Sequence, residues 1–205
     1  MSNILQNDLF RKGPNPSLNA CVGCNGGPYN FDAYSLGYFE AGNRLMSTFA
    51  AEEDGEIVIN NSHIDSLVYP IVYLFRHAIA LGLKFLGESL PGIWNESLRI
   101  ELTHRLIDNW NLVRPYLERN AVFDPEQKLI EEINEILNQL VEIDPQGQTF
   151  RFPTSTRGEQ HLRQVQHINL VVFWSGMEKV NETFEHWFRQ VKEIQDTQQR
   201  TDIYL

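Results

Sequence analysis

DSLVYPIVYLFRHAIALGLKFLGE, residues 65 to 88, decides the reading of the whole chain, because it is the most apolar run and yet carries Arg76, His77 and Lys84. Leu67, Ile71, Leu74, Ala78, Leu81 and Phe85 recur at three- and four-residue steps, and Val68, Val72, Phe75 and Ile79 widen the stripe. That period predicts a helix apolar over most of its circumference, which belongs in the middle of a bundle. Burying an unpaired cation there is costly, so Arg76, His77 and Lys84 either reach a rim or meet partners. Arg76 and Lys84, about two turns apart, are expected to share a face with Ala80 between them. The competing reading has both cations snorkelling to water and His77 as a hydrogen-bonded core residue.

Outward from this helix, every apolar pattern from residue 32 onward has a three- or four-residue step. Asp32 is expected to cap a helix whose face is Tyr34, Tyr38, Ala41, Leu45 and Phe49, running to about Ala51; its aromatic stripe reads as core in preference to a base-stacking platform. EEDGEIVINNS then makes a turn and at most a short strand, and SLPGIWNES, after Gly87, ends the central helix. Thr103 is a cap for a helix buried through Leu106, Trp110, Val113 and Leu117, with His104 in its first turn. Asp124, Pro125 and Gln127 start a fourth helix that turns Leu129, Ile133, Ile136, Leu137 and Leu140 inward. DPQGQTFRFPTSTRGEQ is an extended loop that packs Phe150 and aims Arg151. A last helix is expected from Glu159 to about Thr197, long enough to leave its end for self-association, with Gly176 permitting close approach. The sum is an all-α, up-and-down bundle of about five helices over residues 31–205, preceded by an Asn-, Gly- and Pro-rich arm at 1–30.

The chain has 205 residues, enough for one domain with a sizeable core, and a formal charge of −10 with a pI near 5.0. That balance argues against broad, sequence-independent binding of nucleic acid, but the charge is uneven. Residues 124–144 hold seven acids against Lys128, whereas 150–170 hold Arg151, Arg157 and Arg163 against Glu159, with His161 and His167 nearby. An anionic ligand favours the second region. The N-terminus lacks the apolar core of a signal peptide and Arg76 interrupts the longest apolar run, so a cytoplasmic protein with no membrane span is expected. Cys21 and Cys24 form half a zinc site, and a reduced surface loop is the simpler reading. No metal motif or cofactor motif is present in the sequence.

RIELTH places Arg99 and His104 with four residues between them, a spacing that on one continuous helix would set them about 140° apart. They converge only if the helix breaks between them. In the first turn of a new helix, His104 is held neutral by the free N–H groups and is suited to act as a base.

Read together, YSLGYFEAGNRL (34–45), DSLVYPIVYLFRHAIALGLK (65–84), THRLIDNW (103–110) and FRFP (150–153) resemble bacterial proteins of the HEPN superfamily, the higher eukaryotes and prokaryotes nucleotide-binding proteins. The resemblance covers about residues 30 to 160. It implies a helical bundle, often dimeric, found in toxin–antitoxin, abortive-infection and CRISPR-linked defence. Many such proteins are metal-independent ribonucleases in which an Arg and a His hold the phosphate while the 2′-hydroxyl of RNA attacks. Carried onto this chain, the resemblance implies His104, Arg99 and His77 as catalytic candidates and Arg76, Lys84 and Arg151 as phosphate-binding ones. Ile100 follows Arg99 where catalytic members usually carry a polar residue, which leaves open a noncatalytic subunit that binds a nucleotide, RNA or a partner protein. Both readings expect Arg76, His104 and Arg151 to meet in one anion-binding cleft, and Arg76→Ala to lose binding while keeping the fold.

Overall fold

The computed structural model describes residues 9–23, 27, 29–53, 56–59, 63–96 and 103–203. Five helices carry the fold: α1 (Phe31–Ser47), α2 (Ile64–Ile93), α3 (Leu106–Leu117), α4 (Leu129–Ile143) and α5 (Leu170–Ile203). Between α1 and α2 lies an antiparallel hairpin, β1 (Ala50–Glu53) with β2 (Glu56–Ile59), pairing Ala50 with Ile59 and Glu53 with Glu56. The expected all-α architecture holds, with the strand element slightly larger than the sequence pattern suggests.

The centre is α2, which packs against α1, α3 and α5, while α4 closes on α3 and α5. Ile71, Phe75, Ala78 and Ile79 of the expected stripe are fully buried, joined by Leu83, Leu86 and Leu90, whereas Leu67, Leu74 and Phe85 are half-buried. By length and a hydropathy of 1.4, α2 would also pass as a membrane span, but half of that apolar window is buried within the bundle. The helix does not end after Gly87. Leu90, Pro91 and Ile93 continue the buried stripe, and Pro91 is accommodated in the final turn. At Gly82 the α2 backbone comes so close to α5 that a Cβ would lie 2.5 Å from the Phe184 ring. Replacing Gly82 by Val should therefore overpack this contact and lower stability by about 1–3 kcal/mol, measured by urea titration.

Trp110 of α3 and Trp187 of α5 stack at 5.9 Å, and both are fully buried. Each indole N–H is satisfied: Trp187 Nε1 donates to the Phe123 carbonyl at 2.8 Å and Trp110 Nε1 to Asn134 Oδ1 at 3.0 Å. The α3 stripe of Leu106, Trp110, Val113 and Leu117 is buried as expected.

Four local expectations are corrected. The inner face of α1 is Asp32, Ser35, Phe39, Gly42 and Met46, and Tyr34 and Ala41 are exposed. The two polar residues disguise the true stripe, and each has a partner: Asp32 pairs with Lys192 of α5, and Ser35 Oγ donates to the Ala78 carbonyl at 2.8 Å. Asp32 is thus an interhelical pair instead of a cap, and Asn30 holds the cap position. For α4, Asp124 does cap, but from five residues upstream; its Oδ1 accepts from the N–H groups of Lys128 (2.8 Å) and Leu129 (2.9 Å), its Oδ2 from Ile130 (3.1 Å). Finally, α5 starts at Leu170 and not at Glu159, with Asn169 Oδ1 accepting from Val171 and Val172 N–H. The three-residue steps of Leu162, Val165 and Ile168 mimic a helix while belonging to a loop folded against the core.

Candidate anion site

Seven residues, or nearly two full turns, bring His77 and Lys84 to the same side of α2, with Tyr73 one turn before His77. Arg76 falls elsewhere: eight residues are about 80° of rotation, so the expected shared face with Lys84 does not exist. The His77 ring lies edge-on to Tyr38 of α1 at 4.5 Å and stacks on Tyr73 at 5.5 Å. The Arg151 guanidinium sits 5.5 Å from the Tyr73 ring and 5.2 Å from Phe152. Lys84 Nζ lies 5.6 Å from the Phe31 ring. An open cleft of about 750 Å³ runs from His77 along this side, walled by Phe31, Tyr34, Tyr38, Leu81 and Phe85, with the exposed Glu88 also in its lining.

Charge is distributed against the average of the molecule. No carboxylate lies within ion-pairing distance of Lys84 or Arg151 among the described residues, although the chain carries 27 acids. Burial, and then the fields of Lys84, Arg151 and Arg76, push the His77 pKa below its ordinary value. The imidazole is consequently neutral at pH 7, and an anion arriving among these cations would favour its protonation.

Arg76 has a different task. Its side chain is buried; Nε faces Asp144 Oδ2 at 3.0 Å and Nη2 donates to the Asp144 carbonyl at 3.3 Å. Burial and the neighbouring Arg151 lower its pKa while Asp144 raises it, and a guanidinium stays protonated throughout. Asp144 Oδ1 turns the other way and accepts the N–H groups of Gln148 (2.9 Å) and Thr149 (3.1 Å). One carboxylate therefore ends α4, holds Arg76 and folds the turn that presents Arg151, while Phe150 is buried beneath it. Gly147 in that turn has φ +74°, and a Cβ there would collide with the Arg76 guanidinium. Gly147→Ala should cost about 2 kcal/mol or more through strain and collision together, and shift Arg151 enough to change any ligand affinity; thermal melts beside binding titrations measure both.

His104 does not join this group. It is exposed and lies outside α3, ahead of its N-cap Arg105, so the expected first-turn placement is corrected. Thr103 and Asn109 lock to each other, Thr103 N–H donating to Asn109 Oδ1 at 2.7 Å and Asn109 Nδ2 to the Thr103 carbonyl at 2.9 Å, and α3 starts two residues later than expected, with Arg105 at the cap position. Of the expected convergence of Arg76, His104 and Arg151, the two arginines lie close enough to act on each other and, with Lys84, on His77, while among the described residues no contact joins His104 to them. Arg99 and Ile100 lie outside the described residues, as does Cys24; Cys21 is exposed. Sequence reasoning missed Tyr38 and Tyr73 as site walls and Asp144 as the partner of Arg76. The four-residue spacing of Tyr73 and His77 was a usable signal; nothing local marked Asp144. Among the described residues no group of His, Cys, Asp and Glu side chains is placed to hold a metal ion.

Comparison with protein-family models, with curated proteins and with solved structures found no match.

Proposed function

We propose that this chain is a HEPN-like RNA- or nucleotide-binding protein of bacterial defence or toxin–antitoxin type that holds a phosphate at Arg151, His77 and Lys84. The observation that carries this reading is the pair of carboxylate-free cations beside stacked aromatic rings in an acidic protein. Cations supply the sequence-independent attraction to phosphate, and Tyr34, Tyr38 and Phe31 offer ring faces on which bases stack. Fluorescence anisotropy with a short single-stranded RNA tests it. Affinity should fall with salt at a log–log slope of about −2, as expected for two to three phosphate contacts. A slope near zero, or no binding at low salt, would remove the reading.

A second reading, metal-independent cleavage, is favoured by the depressed pKa of His77. A neutral imidazole there accepts the 2′-hydroxyl proton, the 2′-oxygen attacks phosphorus, and the 5′-oxygen leaves with a proton taken from water, giving a 2′,3′-cyclic phosphate and a 5′-hydroxyl. Arg151 and Lys84 offset the charge gathered on the phosphoryl oxygens. Cleavage in the presence of a chelator, lost in His77→Ala, is its test; full activity in that variant would exclude His77.

The linkage has a definite sign. A histidine depressed on folding binds its proton more weakly in the folded than in the unfolded chain, so the ligand-free protein should lose stability as pH falls below about 6.5. An anion at the cluster raises the same pKa, so phosphate affinity should increase over that range. His77→Gln should flatten both profiles, read from thermal melts and titrations between pH 8 and pH 5.5.

The same proposal has the chain acting in the cytoplasm, as a homodimer or with a partner of its defence or antitoxin system. An apolar groove of about 260 Å³ between α4 and α5, with Gly176 open and Val172 67% exposed, supports an interface there. Sedimentation at micromolar concentration should give a mass above that of one chain.

A further inference from the structure

Arg151 borders a second cavity, of about 470 Å³, besides facing Tyr73 and the His77 cluster. Tyr69, Phe152, Gln160 and His161 line it, and its lining contains no carboxylate. Tyr69 and Phe152, both in this lining, are 45% and 49% exposed, unusual for large rings. Tyr69 is one helical turn before Tyr73, so the aromatic row Tyr69, Tyr73, His77 continues along α2 from one cavity to the other.

The wall of this cavity is built stiffly. Ser155 N–H donates to the Glu159 carbonyl at 2.8 Å, His161 N–H to the Pro153 carbonyl at 3.0 Å, and Thr154 bridges Gln160. Leu162, next to His161, is held at φ +56°, a conformation that disfavours a branched side chain. His161 Nε2 is buried without a hydrogen-bond partner among the described residues. A nitrogen in that condition gains by turning toward an acceptor, and a strained neighbour is where such adjustments concentrate.

We infer that this cavity is a second nucleotide subsite, with Arg151, which lines it and lies against Tyr73 one turn before His77, as the cation between the two, so that the ligand is a single strand of at least two nucleotides. The inference rests on the phosphate-binding reading of the His77 cluster. A base stacks on Tyr69 or Phe152, His161 donates to a phosphate or base acceptor, and the chain's own fold sets the spacing of the two subsites.

Titration calorimetry separates the two claims with three ligands: a nucleoside 5′-monophosphate, a 5′-phosphorylated dinucleotide and a tetranucleotide. Wild type should bind the dinucleotide about tenfold or more tighter than the mononucleotide, as a further stacked base provides. Tyr69→Ala and His161→Ala should each remove most of that gain and leave mononucleotide affinity within about twofold, the phosphate site being untouched. Tyr69 is half exposed, so this variant keeps the fold and carries the test even if the His161 variant does not. Equal affinity for the two ligands in wild type, or a dinucleotide gain that survives both substitutions, overturns the second subsite while mononucleotide binding upholds the first. Binding of none of the three overturns both.

Discussion

Arg76→Ala should lower the stability of the folded chain by about 3–5 kcal/mol, because it leaves the Asp144 carboxylate buried without its counter-charge. For a chain of this size that corresponds to a fall in Tm of roughly 6–20 °C. Asp144 is 1% exposed, so solvent does not reach the carboxylate to replace the guanidinium. The loss is expected to reach further than the pair, since the same carboxylate holds the Gln148 and Thr149 N–H groups and thereby the turn that carries Arg151. Arg76→Leu with Asp144→Asn, which keeps an oxygen for the Gln148 and Thr149 N–H groups, should be less damaging than Arg76→Ala alone, a buried ion pair being replaceable by neutral groups more readily than it can be halved. Differential scanning calorimetry of the single and double variants measures this; a single variant as stable as wild type would show the pair to be dispensable. The outcome opposes what the sequence suggested, namely an Arg76 free to bind a ligand and removable without cost.

Reversing two charges together, Lys84→Glu with Arg151→Glu, should reduce RNA affinity by at least about 100-fold at low salt and leave the melting temperature close to that of wild type. Lys84 sits over the Phe31 ring and Arg151 over the Tyr73 ring, neither with a carboxylate partner among the described residues, so no buried pair is broken. Each reversal replaces an attraction to phosphate by a repulsion of similar size, which accounts for the magnitude. The difference between variant and wild type should shrink as salt rises, because exposed charges are screened. Equal binding by wild type and the double variant would place any RNA contact elsewhere on the molecule. The two experiments are complementary: Arg76 tests the support of the site and its fold, Lys84 and Arg151 test its affinity.

Much of the architecture was legible because periodicity is a local property. The stripes of α2, α3 and α4 follow from side-chain chemistry at three- and four-residue steps, and the buried rows Ile71, Phe75, Ala78 and Leu106, Trp110, Val113 are those the spacing selects. Reading failed where polarity and burial part company. Asp32 and Ser35 face inward because Lys192 and the Ala78 carbonyl, far along the chain, satisfy them, and this rotates the apparent face of α1. Leu162, Val165 and Ile168 keep a helical spacing without a helix, since a loop can half-bury three side chains at equal intervals as well.

The sequence by itself determined that α2 would be central and that Arg76, His77 and Lys84 would need an explanation, since an apolar helix cannot bury charge unpaired. Lys84 and His77 follow from helical geometry alone, seven residues being nearly two full turns. Which cation would be spent on structure was decided only by the tertiary fold. Asp144 stands 68 residues from Arg76, and its ion pair depends on how α4 ends against α2, a contact that no local pattern encodes. The same packing sets Arg151 against Tyr73 and leaves His104 exposed ahead of α3, because loops are placed by the elements they join and not by their own residues.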